Sequence, residues 1–378
     1  MIPDTTSNIL ITCARGIAPF LKKEILNLGF SVKSSHETGL VTEGTLLDTY
    51  NLNLRLRTGY NVLFLLKEFR CESPKDLYEE TYKITWEDII PEDEYITVVS
   101  QVDNLTITNV MFANQKLKDA VVDRMVKQTG QRPKSGPERR NIVINLYWKD
   151  TRAWIYLNTS GGKLADRGYR KIPLSAPMQE TLASAVILAT GYDGARHFVN
   201  PMCGSGTLAI EAALIALGKA PGLLRSNYGF MHLKDFDTDY WYALRKDMLK
   251  KAGKKLDFRI IATDIRQQAV DAAAKNAKTA GVDQLIEFKV CDFRNTEIPA
   301  GKGTVILNPE YGKRMGEAAK LADVYVGIGD FFKKKCGGYT GYIFTGNFDL
   351  AKKIRLISRG STKFYNGKIE CRLLKYNI

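Results

Sequence analysis

The amino-acid sequence predicts an α/β protein of two domains, with an α+β domain over residues 1–163 and an α/β domain built on a parallel sheet over residues 164–378. Its 378 residues are long for one domain and sufficient for two. Strand and helix patterns alternate regularly after residue 197. Before that point, the composition changes at residues 159–163 into a basic segment with Gly and Pro that continues to Pro177. We therefore place the domain boundary there.

Apolar periodicity and turn residues define the elements of the first domain. A strand over 9–12 precedes a helix over 16–26, which ends before Gly29 because glycine readily adopts the left-handed conformation that follows a helix. The other predicted elements are strands at 39–44, 62–66, 95–102, 142–148 and 152–158, and helices at 46–54, 73–90 and 116–128.

The second domain repeats a strand followed by a helix, which implies a parallel sheet with helices on both faces, as in Rossmann-like folds. The last two strands flank Asn366-Gly367, a signal for a type I′ hairpin that adds an antiparallel edge strand. Residues 220–255 read as an inserted helical excursion. The predicted strands are 197–201, 259–263, 286–290, 304–307 and 339–345, and the predicted helices are 178–191, 207–217, 267–280, 317–335 and 349–356.

The charge balance points to a polyanionic partner. Lysine and arginine number 55 against 41 aspartate and glutamate residues, a net charge of +14. A protein this basic commonly binds RNA or DNA, although a merely basic surface accounts for the same number.

The composition also argues against several classes. The six cysteines show no CxxC spacing and the three histidines are dispersed, so neither a metal site nor a disulfide framework is expected. The N-terminus lacks the order of a signal peptide, and no apolar run approaches the roughly 20 residues of a membrane span. We expect a cytoplasmic protein without metal or membrane partner; the sequence leaves its oligomeric state open.

A glycine-rich turn lies between a predicted strand and helix at residues 200–207. Gly204 and Gly206 allow a tight turn and a close approach of the backbone to a ligand. The turn is not a Walker A motif, because no Gly-Lys-Ser/Thr follows, and Ala209 occupies the third glycine position of a dinucleotide motif. By itself, a plain tight turn is an equally good interpretation.

Carboxylates follow the next two strands. Asp264 ends one strand, where it is placed to accept the ribose hydroxyls of a nucleoside or to cap the following helix. Asp292 follows the next strand and is placed to accept from an adenine amine or to be a polar strand end. Phe293 or Ile265 is expected to flank the ring.

The sequence Asn308-Pro309-Glu310-Tyr311 follows a buried strand and suits a planar amine. The Asn308 carboxamide and the Pro309 carbonyl both accept hydrogen bonds, and the Tyr311 ring can stack on the group that carries the amine. An exocyclic amine is a poor nucleophile because its lone pair is delocalised, and two acceptors favour its pyramidal form. Together with the glycine turn, this motif indicates methyl transfer from a nucleotide-like cofactor.

Several motifs together make the chain resemble the bacterial 23S rRNA guanine-N2 methyltransferases that carry an N-terminal THUMP domain. The resemblance spans nearly the whole chain and includes the excursion after Ala220. The motifs that carry it are Cys13-Ala14-Arg15-Gly16, Gly168-Tyr169-Arg170, Ala176-Pro177-Met178-Gln179-Glu180-Thr181-Leu182-Ala183, Asn200-Pro201-Met202-Cys203-Gly204-Ser205-Gly206-Thr207 and Asn308-Pro309-Glu310-Tyr311-Gly312.

This resemblance implies a ferredoxin-like and THUMP region over 1–163 that binds RNA, and a Rossmann-like, class I, S-adenosylmethionine-dependent methyltransferase domain over 164–378. It implies that Asn308, Pro309 and Tyr311 are catalytic. Residues expected to bind S-adenosylmethionine are Gln179, Thr181, Asn200, Met202, Cys203, Gly204, Gly206, Thr207, Asp264, Ile265, Asp292 and Phe293.

The chain departs from the family at Glu310, where the family pattern has a second proline. Proline stiffens a loop by restricting φ, so glutamate is expected to loosen the loop while leaving the Pro309 acceptor in place. We expect the Glu310 side chain to turn outward.

Basic clusters are expected to bind RNA, with 23S rRNA as the first substrate. Such clusters are also common on solvated surfaces. A tRNA guanine-N2 methyltransferase and a non-catalytic RNA-binding assembly factor remain alternatives, whereas a DNA adenine-N6 enzyme would not explain the THUMP-like half. The candidate residues are Arg132, Lys134, Arg139, Arg140, Arg167, Arg170 and Lys171.

Overall fold

The computed structural model describes residues 5–104, 107, 109–174, 177–312 and 317–378, and Ala176 of the motifs above lies outside them. Backbone contacts group the chain into two compact units. Unit 1 contains residues 1–13, 21–166 and 225–247, and unit 2 contains residues 14–20, 167–224 and 248–378. The domain boundary after residue 163 stays a prediction, and three segments, 14–20, 164–166 and 225–247, group with the unit on the other side of it.

Unit 1 contains an eight-stranded, mostly antiparallel sheet in the order β2-β3-β1-β4-β8-β7-β5-β6. In chain order, its elements are β1 (Ser7–Thr12), α1 (Ala18–Asn27), β2 (Ser34–His36), β3 (Gly39–Gly44), α2 (Leu46–Arg55), β4 (Asn61–Arg70), α3 (Pro74–Tyr82), β5 (Tyr95–Asp103), α4 (Val110–Thr129), β6 (Lys134–Ser135), β7 (Ile142–Lys149) and β8 (Arg152–Asn158).

Side-chain caps set where the helices of unit 1 begin. Thr45 and Ser73 each form a capping box, with Asp48 and Asp76 respectively. Asn109 caps α4, which begins at Val110, six residues before the predicted start at 116. The helix predicted over 73–90 is wrong in its second half, since α3 ends at Tyr82 and a separate 3₁₀ turn covers Trp86–Asp88.

An aromatic cluster explains why residues 225–247 group with unit 1. The ring of Phe230 stacks on Tyr50 with centroids 4.0 Å apart and on Tyr228 with centroids 5.1 Å apart. Trp241 meets Phe230 edge-on at 5.0 Å. Aromatic rings bury large apolar areas, so this cluster attaches the segment to α2. The excursion predicted as part of the second domain therefore has its core in unit 1.

Unit 2 contains a seven-stranded sheet in the order β11-β10-β9-β12-β13-β15-β14. The strands β9 to β13 are parallel, and β15 and β14 add an antiparallel edge, as predicted. The elements after β8 are α5 (Glu180–Ala189), β9 (His197–Pro201), α6 (Thr207–Ala216), α7 (Thr238–Lys251), β10 (Ile260–Asp264), α8 (Gln267–Ala280), β11 (Ile286–Val290), β12 (Gly303–Leu307), α9 (Glu317–Lys335), β13 (Thr340–Thr345), α10 (Phe348–Lys352), β14 (Gly360–Asn366) and β15 (Ile369–Asn377).

The core of unit 2 lies between its sheet and α9. Val199 and Val305 from the sheet pack in one cluster with Phe331 and Phe332 of α9. Successive side chains of a strand point to opposite faces, so Phe198, which contacts Tyr192 after α5, faces the other side. Helices therefore cover both faces, as the α/β prediction requires.

The closing hairpin differs from the predicted turn type. Asn366 pairs with Ile369, so the two loop residues are Gly367 and Lys368. Gly367 has φ +62°, whereas Lys368 is not among the residues with positive φ. A type I′ turn needs positive φ at both positions, so the turn matches type II′, with glycine first.

A helix that spans a bilayer needs about 20 predominantly apolar residues. Within the described ranges, no helix combines the length and the apolar character needed to span one.

Candidate active site

Four adjacent strands of unit 2 end at one edge of the sheet. Parallel pairing aligns β10 with β11 and β9, and β9 with β12. The carboxyl ends of these strands carry the glycine turn, Asp264, Asp292 and Asn308. The crevice outside such strand ends is where open α/β sheets bind ligands. The fold therefore brings the predicted motifs together in the order Asp292, Asp264, glycine turn, Asn308.

The backbone of the glycine turn is left-handed at three positions, two of which are glycines that adopt this conformation without strain. Met202, Gly204 and Gly206 have φ of +60°, +55° and +83°. A Cβ on Gly206 would lie 2.8 Å from the Cβ of Ala273, so glycine permits close packing against α8. A Cβ on Gly204 would meet nothing within 4 Å. This open space leaves the backbone of Gly204 accessible to a ligand.

The residues around the turn have distinct surroundings. Cys203 is buried, and burial raises the pKa of its thiol far above the ordinary value, so the thiol stays protonated. Thr207 begins α6 and is buried. The residue before it, Gly206, supplies no side-chain cap to α6. The first N–H groups of this helix are thus available to an anionic ligand at the same turn.

Asp264 connects the glycine turn to β10. Its Oδ2 accepts the Gly204 N–H at 3.0 Å, and its Oδ1 accepts the Arg266 N–H at 3.0 Å. The N-cap position of α8 belongs to Arg266, so Asp264 does not cap that helix. A carboxylate offers about four lone-pair sites, which leaves capacity for further donors.

The two residues expected to flank an adenine ring differ in exposure. Ile265 is 67% exposed at the end of β10, whereas Phe293 is 6% exposed and packs edge-on against Phe331 at 6.0 Å. The expectation for Phe293 is corrected, because its ring belongs to the interior of unit 2. Ile265 alone of the pair presents an apolar surface to solvent.

Asp292 has both carboxylate oxygens engaged by one residue. Its Oδ1 accepts the Arg294 N–H at 2.8 Å, and its Oδ2 accepts from Arg294 Nη1 at 2.9 Å. The side chain is 29% exposed. It caps the 3₁₀ turn Phe293–Asn295. An adenine amine would therefore have to share this carboxylate with Arg294.

Two buried oxygens near the predicted cofactor residues lack partners. Asn200 donates from Nδ2 to the Ile306 carbonyl at 3.0 Å, linking β9 to β12. Its Oδ1, and the Oγ1 of Thr181 at the start of α5, meet no hydrogen-bond partner in the described part of the chain. Gln179 is exposed and precedes α5. Unpaired buried polar atoms are costly, so the Asn200 oxygen favours a ligand that donates, whereas the Thr181 hydroxyl can either donate or accept.

The acceptor loop follows β12. Tyr311 donates its hydroxyl to Asn308 Oδ1 at 3.0 Å. Burial, followed by the neighbouring Cys371, raises the pKa of Tyr311 well above its ordinary value, so the hydroxyl remains a donor. Pro309 is buried, and Glu310 is exposed, which confirms that its side chain turns outward. In this conformation, Tyr311 occupies the acceptor that an amine would need.

Two residues that the sequence reasoning missed hold the carbonyl groups of this loop. Tyr325 of α9 donates to the Glu310 carbonyl at 3.3 Å, and Asn347 Nδ2 donates to the Tyr311 carbonyl at 2.9 Å. Asn347 Oδ1 also accepts the Leu350 N–H and caps α10. A polar residue two positions after β13 was the available sequence signal, because the carboxyl ends of parallel strands meet at the same edge.

Arg167 does not lie on the predicted RNA-binding surface, because its side chain is buried. It is 1% exposed, and its Nη1 pairs with Glu211 Oε2 at 2.6 Å. Ser184 and Tyr169 donate to the same carboxylate, at 2.6 and 3.0 Å. A guanidinium that is buried together with its counterion forms part of the interior and does not contact RNA. The sequence signal was Glu211 itself, a lone acid in the otherwise apolar α6.

The prediction that Arg170 binds RNA is corrected as well, because this side chain is also mostly buried and paired. Its Nε donates to Glu180 Oε1 at 3.1 Å and its Nη2 to the Met178 carbonyl at 2.7 Å. Its side chain is 13% exposed. The other predicted RNA-binding residues are exposed: Arg132, Lys134, Arg139, Arg140 and Lys171.

The sequence predicts neither a metal site nor a disulfide framework. In the ranges that the structure describes, no group of three or more His, Cys, Asp or Glu residues is placed to hold a metal. The six cysteines are unpaired, and five of them are buried.

Comparison with protein families covers all three predicted parts of the chain. A model described as an RMKL-like methyltransferase domain matches residues 167–375. A THUMP domain model matches residues 71–158, and an RlmL ferredoxin-like domain model matches residues 8–63. These matches confirm the predicted fold classes and the resemblance on which they rest.

Individual relatives agree with the family matches. "Ribosomal RNA large subunit methyltransferase K/L" of Syntrophotalea carbinolica is 35% identical over 99% of this chain and 54% of its own length. The chain thus spans about half the length of the K/L relatives it matches. "Putative RNA methyltransferase slr0064" of Synechocystis is 31% identical over 99% of this chain and 97% of its own.

Two solved structures are similar to this chain in fold. SMU.472, crystallised with S-adenosylhomocysteine, is 26% identical, with 98% of both chains covered and a TM-score of 0.89. TrmN from Thermus thermophilus, at 16% identity and a TM-score of 0.69 over 98% of this chain and 100% of its own, shares the fold.

Proposed function

Because the chain belongs to the RMKL-like methyltransferase family, we propose that it methylates the exocyclic N2 amine of a guanine in 23S rRNA with S-adenosylmethionine as methyl donor. The observation that carries this proposal is the alignment of four functional strand ends on adjacent parallel strands. The names of the K/L relatives favour ribosomal RNA as the substrate.

The residues at the sheet edge fit the cofactor on two observations. Gly204 leaves open space beside its backbone. The buried Asn200 Oδ1 and Thr181 Oγ1 have no hydrogen-bond partner in the described part of the chain. S-adenosylmethionine, when bound, supplies an electrophilic methyl group carried on a sulfonium sulfur. Asp264 binds the ribose, and Ile265 covers one face of the adenine. The residues that hold the methionine end and close the pocket are Gln179, Thr181, Asn200, Met202, Cys203, Gly204, Gly206 and Thr207, and Asp292 accepts from the adenine amine.

Asn308 and Pro309 hold the target amine through their two oxygens. Asn308 Oδ1 becomes available when the Tyr311 hydroxyl leaves it, and the freed Tyr311 ring then stacks on the guanine. The guanine reaches this position only outside its base stack. Orientation of the amine by two fixed acceptors supplies most of the rate, since no strong base lies in the motif.

Methyl transfer to separate RNA pools tests the proposal. Labelled S-adenosylmethionine is incubated with unmodified 23S rRNA, 16S rRNA and tRNA, and the products are hydrolysed to nucleosides. N2-methylguanosine in 23S rRNA is the expected product. Label in tRNA alone would establish the tRNA guanine-N2 alternative. Cofactor binding without label in any pool would contradict an enzymatic role and support an RNA-binding assembly factor.

Asn347 is expected to support the reaction by positioning the acceptor loop. Asn347→Asp keeps the oxygen that caps α10 but loses the donor to the Tyr311 carbonyl. We expect kcat to fall about tenfold, the equivalent of one hydrogen bond, with an unchanged thermal midpoint. Single-turnover methyl transfer and thermal unfolding measure the two effects. A wild-type kcat for this variant would show that the hydrogen bond does not position the loop.

Glu310→Pro restores the family residue. The Glu310 side chain faces solvent, and its carbonyl is held by Tyr325, so the loop is already constrained. We expect the rate of methyl transfer to change by no more than about fivefold, the range of a compatible proline substitution. A much larger gain would show that the native loop is compromised.

RNA affinity is expected to depend strongly on salt. Arg132, Lys134 and Arg140 are exposed and have no ion pair within the described residues. Each phosphate contact in a single strand contributes about 0.7 to the slope of log affinity against log salt. Replacing all three residues with alanine should lower that slope by about two in a fluorescence anisotropy titration. An affinity insensitive to salt would argue against electrostatic binding.

A further inference from the structure

Unit 1 contains a cavity of about 290 Å³ that none of the proposed catalytic residues line. Small-molecule sites commonly measure roughly 300–1,000 Å³, so this cavity suits a ligand about as large as one nucleotide. Its polar lining consists of Asn61, Asn145, Asn158, Arg139, Lys163 and Asp166.

The floor of the cavity is a row of amide side chains on the sheet. Asn158 of β8 pairs in register with Val143 of β7, two residues before Asn145, so Asn145 and Asn158 share one face. Asn158 is satisfied, since its Nδ2 donates to the Gly161 carbonyl and its Oδ1 accepts the Ser160 N–H.

Asn145 differs from Asn158. Its Oδ1 is buried and accepts from no donor among the residues described. A buried acceptor without a donor is unfavourable, and a ligand with an amino group would satisfy it.

The rim of the cavity is charged. Arg139 and Lys163 are exposed cations, and Asp166 is an exposed carboxylate. A guanidinium and an ammonium suit a phosphate, whereas a carboxylate suits an amine. The combination of cations and N–H acceptors matches a nucleotide whose base carries an amino group.

The same sheet face continues as an aromatic surface. Tyr147 lies two residues beyond Asn145 on β7 and meets Tyr156 edge-on, with centroids 5.7 Å apart. Trp154 lies two residues from Tyr156 on β8, and Arg152 lies over its ring at 6.0 Å. Tyr147 and Trp154 are only partly buried. Exposed rings on a sheet serve as stacking platforms for unpaired bases.

We propose that this cavity binds one unstacked nucleotide of a single-stranded RNA segment. Asn145 Oδ1 accepts from the amino group of an adenine, cytosine or guanine, Arg139 and Lys163 bind its phosphate, and a neighbouring base stacks on Tyr147. The inference rests on the proposed function for RNA as the ligand. It adds a base-reading site apart from Asn308 and Pro309.

Binding of labelled oligoadenylate, oligocytidylate and oligouridylate to the full chain, measured by fluorescence anisotropy, tests the inference. Adenine and cytosine carry an amino group and uracil does not, so the first two should bind more tightly. Asn145→Leu should weaken oligoadenylate about fivefold and leave oligouridylate nearly unchanged. Asn145→Asp, which keeps the oxygen, should retain the preference. Lys163→Ala should weaken all three, whereas Lys23→Ala, an exposed lysine of α1, should weaken none.

Thermal unfolding separates a binding defect from a folding defect. Equal binding of oligoadenylate by the folded Asn145→Leu variant and the wild type overturns the inference. If that variant does not fold, unchanged binding by Lys163→Ala overturns it instead. A preference for amino-bearing bases without methyl transfer to any RNA would leave the cavity assignment intact and count against the proposed function.

Discussion

Replacing Asn308 with alanine is expected to lower methyl transfer by about a hundredfold or more, the loss that follows removal of one preorganised group in other active sites. In the proposed reaction, Asn308 supplies the acceptor that, with the Pro309 carbonyl, brings the amine toward its nucleophilic form. Alanine leaves the backbone carbonyl of Pro309 in place, so the variant removes one of two acceptors. Single-turnover transfer of labelled methyl groups to 23S rRNA measures the effect.

Two further variants separate this effect from others. Tyr311→Phe removes the hydroxyl that occupies Asn308 Oδ1 but keeps the ring, so it should lose less activity than Asn308→Ala. Asn377→Ala changes an exposed asparagine of β15 and should keep the wild-type rate. Binding of S-adenosylhomocysteine, measured by calorimetry, should be unchanged in all three. A rate for Asn308→Ala within tenfold of the wild type would contradict the role of Asn308.

Replacing Glu211 with glutamine is expected to destabilise unit 2 by about 3–5 kcal/mol. The substitution preserves the shape of the side chain but leaves the Arg167 guanidinium buried without its counterion. Breaking such a pair is costly, because the remaining charge stays out of water. For a unit of about two hundred residues, this corresponds to a fall of roughly 10 °C in the thermal midpoint.

The matched control is an exposed ion pair in the same unit. Lys352 and Asp349 pair at 2.8 Å with side chains 76% and 90% exposed. Lys352→Ala should leave the thermal midpoint unchanged, since solvent screens the pair. Glu211→Gln combined with Arg167→Met removes both buried charges and should cost less than Glu211→Gln alone. Equal midpoints for Glu211→Gln and the wild type would show that Arg167 does not depend on this carboxylate.

The sheet of unit 2 was predictable because its signals are local. The strands β10 and β12 are short, mostly apolar runs, with Asp264 at the end of the first and Asn308 directly after the second, and Asp292 lies two residues after β11. Carboxyl ends of parallel strands meet at one edge whatever the spacing between them, so their convergence needed no long-range information.

Contacts between distant residues were not predictable in this way. Arg167 and Phe293 occur in segments that read as a basic surface and a strand end, yet both are buried. The hydrogen bond between Asn347 and Tyr311 joins residues that are 36 positions apart. The ring of Tyr50 stacks on Phe230, which lies far along the chain. No local pattern in the sequence specifies such partners.

The sequence was sufficient to predict the fold class, the type of most elements and the family, because periodicity, turn residues and motif spacing are encoded over a few neighbouring positions. The packed molecule is needed to show which charges neutralise each other inside, as Arg167 and Glu211 do, and how Tyr311 donates to Asn308. Burial and partner choice depend on residues that meet only after the sheet has formed, so they are properties of the packed molecule.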